Sequence, residues 1–315
     1  MRAHEALVLQ TPAERFENLP DYPFEPHYTG IADEQFGSLL MHFVDEGPRD
    51  APIALMLHGE PTWSFLYRKA IPIVAAAGYR AVAPDMIGFG RSDKPIRRAD
   101  YTYQRFVDQL KKFVMVEDLR SITLVCQDWG GPIGLRVLSE MTDRFDAVLA
   151  TNTLLPNFEP PPRGVGGWPG KQIADWAALC RTSDDLPISE IVSGVGVDRL
   201  PDAVRAAYDA PFPDAAYKAG TLQITCCIPI EETMPGIAEN RKAWEVIETF
   251  DRPFLTAFSD RDPSTKGWEA IFRDRVPGAK GQPHVEIANA GHFVQEEQGP
   301  ELARVLVDLM NRMYR

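Results

Sequence analysis

Leu124-Val125-Cys126-Gln127-Asp128-Trp129-Gly130-Gly131-Pro132-Ile133-Gly134 is the stretch on which the reading of this chain turns. Ser121 to Cys126 is a short apolar, β-branched run and reads as a buried strand. From Gly131 onward Leu135, Leu138 and Met141 recur at helical spacing. One polar residue, Asp128, stands between strand and helix. The order small residue, any residue, nucleophile, any residue, glycine is that of a nucleophile elbow, a tight turn that lifts its central side chain past the sheet edge. Cys126 and Gly130 are small enough for strand and helix to approach closely. The plainer alternative for the same residues is a loop with an N-capping Asp.

An elbow usually carries Ser, and a carboxylate in its place changes the chemistry. At neutral pH a carboxylate needs no base to activate it and attacks directly. Attack on an acyl carbon would give an anhydride, whereas attack on a saturated carbon bearing a leaving group gives an ordinary ester that water can hydrolyse. Asp128 therefore points to displacement at sp3 carbon.

Working outward, 315 residues with 44% hydrophobic content can bury a large core, and one domain with a sizeable insertion is expected. A formal net charge of -12 argues against a nucleic-acid partner, because phosphates need a basic face. Cys126, Cys180, Cys226 and Cys227 show no CxxC spacing, so no metal site or other cofactor is expected; a reducing, cytoplasmic setting fits unpaired thiols. The stretch from Met1 to Pro26 lacks the apolar segment of a secretory signal. No run of 18 apolar residues suggests a membrane span.

Residues 1–30 read as an arm laid over the domain. Strands are expected over Leu39–Asp45, Ile53–Leu57, Tyr79–Ala83, Ala147–Thr151, Phe254–Phe258 and Val285–Ala288, besides the elbow strand. Helices are expected over Ser64–Ala77, with a kink or break at Pro72, over Tyr103–Val116, around Asn240–Glu248 and from about Glu301 to Met313. This alternation implies a parallel sheet covered on both faces, with functional loops at the strand carboxyl ends. After Pro156 the chain becomes dense in Pro and Gly and then helix-like with frequent breaks. Residues 157–231 read as a helical lid inserted between two sheet strands, leaving 1–156 and 232–315 as the core domain.

An ester on Asp128 must be broken by water, which needs a base. The six histidines are His4, His27, His42, His58, His284 and His292. Only His58 and His292 follow strands, and His292 comes after the last one, behind the nucleophile in chain order. Its orienting acid could follow the strand before the insertion, where Asn152 stands without an early carboxylate, or the strand after it, where Asp260 and Asp262 stand. Asp262 lies deeper in the turn and can reach towards His292; Asp260 can cap the turn. The backbone N–H groups of Trp129 and Glu60 are placed to form an oxyanion hole, each worth about 3–4 kcal/mol in such sites. The departing group needs its own donors. The Trp129 indole donates without accepting, which suits a weakly hydrated anion, and a second donor is expected from the lid, where Trp168 and Trp176 are available.

Taken together, His58-Gly59-Glu60-Pro61-Thr62-Trp63-Ser64, Asp85 to Pro95, Val125 to Gly131 and Ala290 to Glu296 resemble the haloalkane dehalogenases, in particular the subfamily with an Asp-His-Asp triad and two halide-binding tryptophans. The likeness covers nearly the whole chain, including Ala210-Pro211-Phe212-Pro213-Asp214. It implies an α/β-hydrolase fold, with a mostly parallel eight-stranded sheet, helices on both faces and an inserted helical cap. It implies Asp128 as nucleophile, His292 as base, Asp262 as acid, Trp129 and Trp176 as halide donors, with Trp168 as the alternative to Trp176. A small halogenated alkane and a halide ion are the implied partners, and a monomer the implied state. The region Leu222–Met234 departs from the family pattern.

The nearest rival is an epoxide hydrolase, which needs lid tyrosines; Tyr208 and Tyr217 are available. A fluoroacetate dehalogenase would want arginines just after the nucleophile, where Trp-Gly-Gly-Pro-Ile stands instead. A non-catalytic small-ligand receptor on the same fold would have no need of the triad.

Overall fold

The computed structural model describes residues 8–163 and 165–315. The first seven residues of the expected arm, His4 among them, lie outside the described residues, as does Gly164.

Its strands are β1 (Val8–Leu9), β2 (His27–Asp33), β3 (Gly37–Glu46), β4 (Ile53–Leu57), β5 (Arg80–Pro84), β6 (Lys94–Pro95), β7 (Ile122–Asp128), β8 (Phe145–Thr153), β9 (Phe254–Ser259) and β10 (Val285–Ile287). Its helices are α1 (Ile71–Ala76), α2 (Tyr103–Val116), α3 (Gly130–Glu140), α4 (Lys171–Thr182), α5 (Ile188–Gly194), α6 (Asp202–Asp209), α7 (Ala219–Cys226), α8 (Ile237–Ile247), α9 (Trp268–Arg275) and α10 (Val294–Tyr314).

Eight strands form one sheet in the order β10-β9-β8-β7-β4-β5-β3-β2. From β10 to β5 every pairing is parallel, and β3 runs antiparallel to both its neighbours. The two-residue strands β1 and β6 pair separately. Every residue of β4 and β5 is buried, as the continuous apolar runs require of strands covered on both faces. Helix α2 starts where the Thr102 side chain accepts the Arg105 N–H at 3.2 Å, and it buries Phe106, Val107, Leu110, Phe113 and Val114.

The structure departs from the sequence expectations at four places. His27–Asp33, whose first four residues were expected to belong to the arm, is the edge strand β2. It pairs on one side only and buries just Thr29 and Ile31, so its apolar signal is weak. The helix expected over Ser64–Ala77 is broken near Pro72, as that proline suggested, but its first part is a 3-10 turn at Ser64–Tyr67, with α1 starting just before Pro72. Helix α9 was not anticipated, although Trp268, Ile271 and Phe272 bury one face at helical spacing. Helix α10 begins at Val294 rather than near Glu301 and kinks at Gln298, two residues before Pro300.

Between β8 and α8 the chain forms α4 to α7 and no strand among the described residues. Arg98, from the 3-10 turn before α2, donates to the carbonyls of Cys180 in α4, of Ser183 just after it and of Leu222 in α7. The cation thus satisfies carbonyls that a helix C-terminus leaves unpaired. No helix among the described residues is long and apolar enough to cross a membrane.

Candidate active site

Asp128 ends β7 with φ at +48°, a left-handed conformation that costs a non-glycine residue on the order of 1–3 kcal/mol. Its surroundings fix it there. The pairing of β7 with β8 shifts register between Cys126 and Asp128, and Thr153 Oγ1 donates to the Asp128 carbonyl at 2.7 Å. A Cβ on Gly130 would overlap the backbone carbonyl of Leu57, and one on Gly131 the Thr153 side chain. The glycines after Asp128 are therefore imposed by close packing of β4, β8 and α3. Gly59 is bound in the same way, because a Cβ there would overlap the Asp128 carboxyl.

The carboxyl of Asp128 is gripped at both oxygens. Oδ1 accepts the backbone N–H of Glu60 at 2.8 Å, and Oδ2 lies 3.4 Å from His292 Nε2. His292 Nδ1 is 3.0 Å from Asp262 Oδ1. Asp262 in turn accepts the backbone N–H groups of Ser264 at 2.9 Å and Thr265 at 3.1 Å, and the Thr265 hydroxyl. Burial alone would raise the Asp262 carboxyl, but His292 and these donors hold it below the usual carboxylate range. Burial alone would lower His292; the carboxylates of Asp262 and Asp128 instead push it up to about 10.

The other candidates have separate employment. Asp260 Oδ1 accepts the Ala290 N–H at 3.3 Å, a loop tie away from the imidazole. His58 spends both ring nitrogens, donating from Nδ1 to the Gly59 carbonyl and accepting the Met86 N–H at Nε2, which fixes a neutral tautomer. His42 pairs with Asp85 at 2.7 Å, and Asp85 also accepts the N–H groups of Ser64 and Arg91, tying the loops after β4 and β5 together. Asn152 bonds Ser259 and donates to the carbonyls of Gly291 and His292, holding the His292 loop against β8 and β9. Gln127 Nε2 lies 3.1 Å from His292 Nε2 and donates to the His292 carbonyl. Sequence reading assigned no role to Asn152 or Gln127; their only signal was polarity at the buried end of a strand.

A cavity of about 370 Å³ opens beside these groups, lined by Glu60, Asp128, Trp176, Ile191, Val195 and His292 among others. A smaller recess of about 30 Å³ lies behind it, lined by Glu60, Asp128, Trp129, Trp176, Thr225 and Ile228 among others. Trp129 is buried edge-on to Tyr103, with ring centroids 5.2 Å apart. Trp176 Nε1 donates to Glu60 Oε2 at 3.2 Å. Trp168 lies elsewhere, its N–H spent on the Pro229 carbonyl at 2.8 Å and its ring edge-on to Trp268. Burial and the neighbouring Asp128 push the Glu60 carboxyl well above the usual carboxylate range. One residue thus touches Asp128 with its backbone and Trp176 with its side chain. Among the described residues no cluster of His, Cys, Asp or Glu is arranged to hold a metal ion.

The sheet order, the elbow and the loops gathered at the strand ends define an α/β-hydrolase, and residues 52–171 match the family model described as alpha/beta hydrolase fold. Over 304 residues the chain is 46% identical to a haloalkane dehalogenase of Psychrobacter cryohalolentis, covering 96% of this chain and 98% of that one. It is 45% identical over 300 residues to a haloalkane dehalogenase of Mycobacterium marinum, covering 95% and 98%. The tetrameric haloalkane dehalogenase of Paraglaciecola agarilytica NO2 superposes with a TM-score of 0.84 at 36% identity, over 94% of this chain and 96% of that one. The chain belongs to the haloalkane dehalogenase family.

Proposed function

We propose that this chain, a hydrolase of carbon–halide bonds, converts a haloalkane and water to an alcohol, a halide and a proton through a covalent ester on Asp128. The Asp128 carboxylate attacks the carbon in line with the halogen, the carbon–halogen bond breaks, and the halide leaves into the small recess between Trp129 and Trp176. His292, steered by Asp262, then takes a proton from water, and the hydroxide attacks the ester carbonyl. The oxyanion meets the N–H groups of Glu60 and Trp129. Residues 157–231 serve as the lid that keeps bulk water from the first step.

The observation that carries this reading is the placement of Asp128, with one oxygen on the Glu60 N–H, the other facing His292, and both indoles lining the recess beside it. A specific observation weighs against epoxide opening. Tyr208 is buried with its hydroxyl on Glu296 Oε2 at 2.6 Å, and neither it nor Tyr217 lines the main cavity. The monomeric state and cytoplasmic setting expected from the sequence belong to this proposal; the four free cysteines fit a reducing compartment.

A halide-release panel of bromo- and chloroalkanes, with one epoxide as a control, tests the proposal. Halide from at least one haloalkane, none from Asp128→Ala and no diol from the epoxide is the expected pattern. Wild-type-like release by Asp128→Ala would end the assignment.

A further inference from the structure

Thr225 lies in α7 and is 3% exposed. A buried threonine in a helix ordinarily returns its hydroxyl to a carbonyl of the preceding turn. Thr221 does so, bonding the Lys218 carbonyl at 2.9 Å, and Thr182 bonds that of Ala178. Thr225 Oγ1 makes no hydrogen bond within 3.5 Å, though it stands close enough to the Glu60 carboxyl to pull its pKa down, and Glu60 Oε1, on the same recess, is unpaired as well. A hydroxyl left unpaired in a protein interior destabilises the fold, whereas Val would fill the same volume without that penalty. The recess has room for one small ion or water molecule. It offers a departing anion the indole of Trp129 and that of Trp176, but the second is already shared with Glu60. Among the residues lining the recess, Thr225 alone carries a hydroxyl.

We propose that Thr225 is a third donor to the halide, turning its O–H onto the anion as the carbon–halogen bond breaks; this rests on the halide-displacement reading above. A hydroxyl binds a small, hard anion more strongly than a large, soft one, so Thr225 favours chloride over iodide relative to a recess lined by indoles alone. Its effect is felt in the transition state as well as in the product complex, because charge is already moving onto the leaving atom.

The test is the full-length protein with Thr225→Val, Thr225→Ser and Thr225→Ala, titrated with chloride, bromide and iodide and read by quenching of tryptophan fluorescence. The same proteins are followed for pre-steady-state halide release from 1-bromobutane. Thr225→Val should weaken chloride binding by about tenfold or more and iodide binding less, with a slower halide burst, and Thr225→Ser should restore both. Thr225→Ala keeps the question open to measurement if Thr225→Val does not fold. The valine change is repeated in Glu60→Gln. A loss of the same size supports direct contact with the anion, whereas a loss that disappears would show that Thr225 acts through Glu60 and would overturn the proposal. Halide affinity unchanged in Thr225→Val also overturns it while the wild type still releases bromide. A wild type that releases none overturns the functional reading instead.

Discussion

Half-buried Asp128 and buried His292 face one another as an ion pair, Oδ2 to Nε2 at 3.4 Å, while the far side of the same ring meets Asp262 at 3.0 Å. An imidazole between two carboxylates keeps its proton, and His292 is pushed up to about 10. A protonated ring cannot act as a base. Esterification of Asp128 changes that, because it removes one of the two charges that hold the proton. On the proposed mechanism Asp128 thus frees His292 to act as a base when it becomes esterified.

The proton of His292 should therefore leave in step with the halide. Once Asp128 is esterified the His292 pKa falls, the proton goes to solvent, and the free ring takes a new one from the hydrolytic water. Stopped-flow mixing with a brominated substrate and a pH indicator should show a proton burst of one per active site, concurrent with the halide burst. Protons appearing only with the alcohol would mean that His292 starts neutral.

The two aspartates after β9 should separate cleanly. Asp262→Asn removes the charge that orients His292 and should slow ester hydrolysis by roughly 100-fold to 10,000-fold while sparing the halide burst. Asp260→Asn alters only a loop tie and should leave kcat within about twofold. Single-turnover kinetics on the two variants decides this, and equal losses would contradict the assignment.

Stability should carry the same signature. The folded chain holds the His292 proton up to about 10 against an ordinary value of 6.5. Its contribution is then complete below about 6.5 and is lost as pH rises through about 10. The Tm advantage of the wild type over His292→Gln should shrink across that window; a constant difference would argue against the ion pairing of His292.

Beyond the triad, Glu296 closes the buried network that joins α10, the loop after β4 and α6. Both its oxygens meet Arg68 at 2.6 Å, and Tyr208 and Lys69 add further donors. Glu296→Ala strands the buried Arg68 and should cost about 3–5 kcal/mol. Replacing Arg68 and Glu296 together by Met and Leu should cost less. Urea denaturation measures both, and equal losses would show that the pair is not what matters.

Much of this was legible before the fold was seen. The candidates for elbow, base and acid stand out because each sits at or just beyond the end of a strand whose apolar run is easy to read, and chain order then restricts the choices. The structure accordingly brings Asp128, His292 and Asp262 into one contact chain. What stayed hidden depends on three-dimensional approach. Nothing in the sequence says that the Glu60 carboxyl reaches across to Trp176, or that Trp168 turns away to Pro229. Strand β2 escaped notice because only one side of it is paired and few of its residues are buried, and the first turns of α10 because Gly299 and Pro300 resemble a helix boundary.

The most direct measurement is intact-protein mass spectrometry of His292→Gln after mixing with 1,2-dibromoethane. The account predicts one bromide released per enzyme and a stable mass increase of one 2-bromoethyl ester, localised by peptide mapping to Asp128. No mass increase, or an adduct on another residue, would contradict it.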